Sequence, residues 1–214
     1  MKKKLYKSLI ISNLLVQIMK LFHQHRHNFH AKFNKILEIC KKISTNLVND
    51  KGNIRRPGSV LRFSDIEVVA LSMAAESESF DSDNWLFCKL NQSRHLFPNL
   101  ISRRQYKDRR KFHCGLMEEI RKKIAESIDG IEDYFCFDSK PIKVCRPSPF
   151  AKTRKRIKTN FSRLTDQFMV IRNYAKLTNG LFTRIISKIS SMTVLQYANF
   201  INNKPIGRIK YALI

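Results

Sequence analysis

Apolar residues recur at helical spacing along most of this chain, and turn chemistry marks the breaks between the periodic segments. Leu14, Ile18, Leu21 and Phe22 share one helical face, as do Phe33, Ile36, Leu37, Cys40 and Ile43, so residues 1 to 48 read as one or two helices. A turn at Asn49-Asp50-Lys51-Gly52-Asn53 continues into a basic loop, Arg55-Arg56-Pro57-Gly58. Ser64 with Glu67 is a capping box; it opens a helix whose buried stripe is Ile66, Val69, Ala70 and Met73 and which fades by Ser77. After a loop at Ser79 to Asp83, Trp85, Leu86, Cys88 and Leu90 mark a short helix that Pro98-Asn99 breaks. Ser102 and Gln105 form a second capping box. The helix they open is predicted to run to Ile128, with Tyr106, Phe112 and Met117 inward, and Asp129-Gly130 ends it.

Residues 133 to 144 are rich in aromatic and β-branched positions and predict the one convincing strand. Pro147, Pro149 and the run Lys152, Arg154, Lys155, Arg156, Lys158 read as a loop or a helix approach. Two further helices are expected, Phe161 to Tyr174 and Leu181 to Phe200. In the second, Phe182, Ile185, Ile186, Ile189, Met192 and Leu195 fall on one face, and Asn202-Asn203-Lys204-Pro205 stops it. The fold class is therefore mainly α. One isolated strand gives the C-terminal helices no sheet to cover, so their apolar faces either dock on the N-terminal helices or stay exposed.

Charge adds a partner to this picture. The 214 residues carry 41 Lys and Arg against 17 Asp and Glu, a net charge of +24, while 43% apolar content is ample for a core. Such an excess predicts a polyanion, DNA or RNA, ahead of a membrane surface or a merely well-solvated surface. Its densest cluster is Arg103, Arg104, Lys107, Arg109, Arg110 and Lys111, at the start of the helix that Ser102 caps. Cations there, with Arg55 and Arg56, predict DNA contact by a helix-turn-helix-like N-terminal part. Five single cysteines with no C-x-x-C pair fit a reduced, cytoplasmic protein. The start of the chain imitates a signal peptide, but polar Ser12, Asn13 and Gln17 interrupt its apolar run, and an amphipathic helix is the expectation.

Candidate chemistry centres on Asp138, at the end of the apolar run Tyr134-Phe135-Cys136-Phe137. A carboxylate on a strand end suits divalent-metal phosphoryl transfer when two or three acids converge, and is otherwise a turn residue. From Asp138 to Ile214 there are sixteen Lys or Arg and only one other carboxylate, Asp166. His23, His27 and His30 could share a helical face, yet Arg26 and Lys32 beside them repel cations, and polar helix surface is the expected role. His113 and Cys114 are adjacent and on a helix would point apart, so they form no nucleophile pair. No P-loop, G-x-G-x-x-G or G-x-S-x-G occurs.

Several stretches in order resemble a known family. Asn53-Ile54-Arg55-Arg56-Pro57-Gly58, the run from Arg62 to Ser72 and the run from Phe97 to Tyr106 are similar to the N-terminal part of DDE transposases of bacterial insertion sequences. Phe137-Asp138-Ser139-Lys140-Pro141-Ile142 resembles the family's first catalytic strand. Thr165-Asp166-Gln167-Phe168, Arg172-Asn173-Tyr174-Ala175-Lys176, Leu181 to Ile186 and Lys204-Pro205-Ile206-Gly207 resemble its C-terminal end. The resemblance implies DNA transposition by Mg²⁺-dependent phosphoryl transfer in a ribonuclease-H-like α/β domain, with Asp138 as first acid of the triad and as metal ligand. It also implies a large internal deletion: the second Asp has no counterpart, and Lys158 stands where the family carries its Glu.

Four segments follow: a basic amphipathic extension (1–32), a helical DNA-binding domain (33–130), the truncated start of the catalytic domain (131–160) and the C-terminal helical end (161–214). The expected protein binds DNA, at element ends, without cleaving it, and its missing acids leave Mg²⁺ unbound. The alternative is a non-catalytic DNA-binding protein or a regulator of full-length transposase; further partners are full-length transposase or a second copy, and no membrane.

Overall fold

The computed structural model describes residues 29–58, 61–128, 149–172, 175–209 and 212–213, with side chains in the helix that opens at residue 149 described from Ile157 onward. The predicted extension before residue 29 and the predicted strand at 133–144, Asp138 included, lie outside the described residues. Within them the chain is helical and contains no strand. The first helix, α1, covers residues 29–43. It is followed by α2 (Asp65–Ser77), α3 (Asp83–Gln92), a single 3-10 turn (Arg94–Leu96), α4 (Arg103–Phe112), α5 (Cys114–Ile128), α6 (Pro149–Asp166) and α7 (Thr178–Ile201).

Local chemistry sets the ends of these helices. Both predicted capping boxes form: Ser64 caps α2 and Ser102 caps α4, each with the third helical residue, Glu67 or Gln105, reaching back to the cap N–H. At the other end of α2, Ser79 adopts φ +59, with its N–H bonded to Glu76 and the Phe80 N–H bonded to Ala75. Asn203 (φ +52) ends α7 in the same Schellman manner, where the Asn-Asn-Lys-Pro stop is expected. Gly52 at φ +76 lets the 49–53 turn close against α2: its carbonyl accepts the Ile66 N–H, and a Cβ would sit 3.3 Å from Ser64 Oγ.

The core gathers around α7, which packs on α2 and α5 while α4 bridges α2, α3, α5 and α7. Ile66, Val69, Leu71 and Met73 of α2, Met117, Ile120 and Ile124 of α5, and Val194 and Leu195 of α7 are buried there. Of the C-terminal helices α7 thus docks on the N-terminal ones, one of the two outcomes expected for them, while Phe161 of α6 stays exposed. An aromatic cluster joins α1 to the loops before α3 and α4, with the Phe29 ring edge-on to Phe80 at 5.4 Å and Phe33 5.3 Å from Phe97.

Four expectations are corrected. The helix expected from Ser102 to Ile128 is two helices, because His113 leaves the helical path (φ −90, ψ 17) and turns a fully buried ring toward Asp65. Phe112, expected inside, is 71% exposed as a result. The helix expected at Phe161 to Tyr174 runs from Pro149, a residue suited to a first helical position, to Asp166, and Met169 at φ +47 turns the chain away. Finally, only the C-terminal end of the apolar stripe expected on α7 is buried: Met192 and Leu195 are inside, Ile185, Ile186 and Ile189 are half-buried. Thr183, Ser187, Lys188, Ser190 and Ser191 face inward, while Phe182 is 56% exposed.

A candidate nucleic-acid interface on α3 and α4

Helical geometry, about 100° per residue, distributes the cations of α4 between three directions. Tyr106 and Arg110 face the core, Arg109 faces the start of α2, and Arg103 lies on the α3 side. Arg104 and Lys107 are exposed and Lys111 partly exposed, all within about 60° on the outward side. Asp108 and Phe112 continue that outward arc on its far flank.

Two of the predicted DNA-contacting arginines are therefore turned toward intramolecular partners. Arg109 donates to the Phe63 carbonyl at 2.7 Å and to Asp65 at 2.6 Å. Arg110, buried, donates to Asp83 at 3.1 Å and lies over the Tyr106 ring at 5.5 Å. Both point inward because carboxylates on α2 and at the start of α3 sit within their reach, and a buried acid needs a buried cation. Burial pushes the Tyr106 hydroxyl up to about 12, against the opposing pull of Arg110.

Asp65 is the hub of this arrangement and is fully buried. It accepts from the Ile54 N–H at 3.0 Å and from Arg56 at 3.2 Å, besides Arg109. His113 Nε2 lies 2.8 Å from the same carboxylate, off the line of a well-aligned hydrogen bond. Burial by itself would raise the Asp65 pKa; the contacts from His113, Arg109 and the Ile54 N–H outweigh it and hold the carboxyl well below the usual range. One side chain thereby fixes the Arg55–Arg56 loop and α4 on either side of the α2 N-terminus. Arg55 stays exposed, and Arg56 is shared between Asp65 and solvent.

A second buried pair locks α2 to α7. Lys188 donates to Glu76 at 2.7 Å and also to the Phe168 carbonyl, with both side chains almost wholly inaccessible. Burial raises the Glu76 pKa, an effect Lys188 offsets only in part. Ser72 and Ser187 share a 2.9 Å hydrogen bond beside it, and Ser191 donates to the Met73 carbonyl at 2.8 Å. None of Asp65, Asp83, Glu76 or Lys188 stands out in the sequence, and His113 does so only beside Cys114. An Asp at the first position of a helix reads only as a dipole-favoured residue.

The catalytic expectation gains no partner here. Asp138 lies outside the described residues, and Lys158 is exposed on α6. Among the described residues no three His, Cys, Asp or Glu side chains converge as metal ligands. His30, the one described member of the histidine cluster, lies edge-on to Phe97 at 5.1 Å. Among the described residues no helix is long and apolar enough to cross a membrane. No family model, curated protein or solved structure matches this chain.

Proposed function

We propose that this chain binds DNA through α4 and the Arg55–Arg56 loop, as the helical part of an internally deleted insertion-sequence transposase that no longer cleaves strands. The observation that carries the reading is the sorting of the cations on α4. Arg109 and Arg110 are engaged by Asp65 and Asp83, yet Arg104, Lys107 and Lys111 still face outward together. Outward cations with fixed supports suit a phosphate backbone, which rewards charge and position before sequence. The net charge of +24 supports the same class of partner.

Strand cleavage stands outside the proposal. Clustered carboxylates are what a phosphoryl-transfer site requires, and Lys158 replaces the acid that the family resemblance places in the third position. Cleavage of an end-bearing duplex in Mg²⁺ or Mn²⁺, abolished by Asp138→Asn, would overturn the loss of activity. Binding is tested by titrating a duplex across salt concentrations. Arg104→Ala, Lys107→Ala and Lys111→Ala together are expected to weaken affinity for every sequence. The log–log salt slope should flatten by roughly one for each phosphate that is no longer neutralised. The melting temperature should hold. A triple variant that binds as tightly as the parent chain would remove the basis of the proposal.

A further inference from the structure

The outward face of α3 is chemically unlike that of α4. Asn84, Cys88 and Asn91 follow one another at helical spacing and all three are exposed. Each asparagine is engaged by an arginine from outside the helix: Arg103 of α4 donates to Asn84 Oδ1, and Arg94 of the 3-10 turn donates to Asn91 Oδ1 at 3.4 Å. A guanidinium can only donate, so each amide is turned with its oxygen toward the arginine. The second lone pair of that oxygen and the amide N–H group remain for a ligand. A neutral acceptor-plus-donor face bordered by cations is the chemistry that reads base edges, where asparagine matches adenine N6 and N7 and arginine matches guanine O6 and N7.

Dimensions agree with that chemistry. Asn84 and Asn91 are separated by about 10 Å along the helix axis, close to three base-pair steps of about 3.4 Å. A bare helix of this kind enters a major groove about 12 Å wide. The neighbouring acids do not oppose the approach strongly: Asp83 is neutralised by Arg110, and Asp81, partly exposed, sits before the helix rather than on the Asn face. Lys107 lies one turn beyond Arg103 on the same flank of α4, so the cations of α4 border the asparagine face of α3.

We propose that α3 is the base-reading element, with the face Asn84, Cys88 and Asn91 in the major groove and Arg94 and Arg103 at its two ends, while α4 supplies phosphate contacts. This rests on the DNA-binding reading above and goes beyond it by assigning sequence recognition to a helix other than the most basic one.

The test begins with selection of preferred duplexes from a random pool by the full chain, followed by competition between the selected sequence and a scrambled duplex at fixed salt. The Asn84→Ala, Asn91→Ala double variant is expected to lose roughly tenfold or more of the preference while keeping its affinity for scrambled duplex and its salt slope. Cys88 provides a check that needs no variant. Among the described cysteines it is the exposed one, with Cys114 partly and Cys40 fully buried. Maleimide labelling followed by peptide-level mass spectrometry is expected to show the Cys88 peptide protected by the selected duplex. Failure to bind any duplex at low salt overturns the DNA reading and this inference with it. Binding that selects no sequence, or leaves Cys88 open to label, or keeps its preference in the double variant overturns this inference alone.

Discussion

At the residue scale, Asp65 is where stability and the proposed interface meet. Arg56, Arg109 and His113 converge on a carboxylate that has no solvent of its own. Replacing it by Asn would keep the shape and leave the largely buried Arg109 guanidinium without its counter-charge. A loss of about 3–5 kcal/mol is expected from such an orphaned charge, measured as a fall in denaturation midpoint. The pH dependence has a definite sign. Because the folded-state pKa of Asp65 is depressed, its contribution is fully present above the unfolded value of about 3.9 and disappears as pH falls through the lower folded value. The stability gap between the parent chain and Asp65→Asn should therefore hold from neutrality down to about pH 4 and shrink below it. A gap that widened on acidification would contradict the assignment. Glu76 titrates with the opposite sign, since its pKa is raised, which is why the comparison between the two proteins is informative and the acid unfolding of either alone is not.

At the scale of elements, what is legible in the sequence is whatever the chain encodes locally. Ser64 with Glu67, Ser102 with Gln105 and the stop after Phe200 lie within a few residues of the ends they define, and all three behave as the sequence predicts. The division between α4 and α5 is illegible because its cause is the buried approach of His113 to Asp65, which is remote in the chain. The same separation hides the site: Arg109 and Arg110 look like any other cation in the run until Asp65 and Asp83 are seen beside them. On α7 the sequence carries the period but not its direction. In the first half of α7 small hydroxyl side chains take the inward positions and find partners across the contact, as Ser187 does with Ser72, while Met192, Val194 and Leu195 are buried in its second half. Ser187→Leu should consequently be costly, about 1–3 kcal/mol from overpacking, although it makes the helix more hydrophobic. Phe182→Ser should change stability by no more than about 0.5 kcal/mol, being a surface substitution. Paired chemical denaturation of the two variants decides it, and the reverse order would mean that α7 turns its apolar stripe, not its hydroxyl side, toward α2.

For the whole molecule, net charge and exposed apolar area work against each other. Ile171 and Leu177 in the connection between α6 and α7, Phe182 in the first turns of α7 and Phe161 on α6 are all more than half exposed, apolar surface that a second copy could cover. A charge of +24 repels a second copy from that surface over distances set by ionic strength. The screening length is about 10 Å in 0.1 M salt and about 3 Å in 1 M salt. Repulsion should thus dominate in dilute salt and fail in concentrated salt, where apolar burial is at least as favourable. Light scattering after gel filtration is expected to report a monomer near 0.1 M salt and a larger mass near 1 M. Leu177→Ser with Phe182→Ser should suppress the larger species. A mass that stays constant across this range, or falls with salt, would show that the apolar side chains do not drive association even when charge no longer prevents it. Duplex DNA would act as concentrated salt does, neutralising the basic face, so association on DNA at low salt would follow from the same balance.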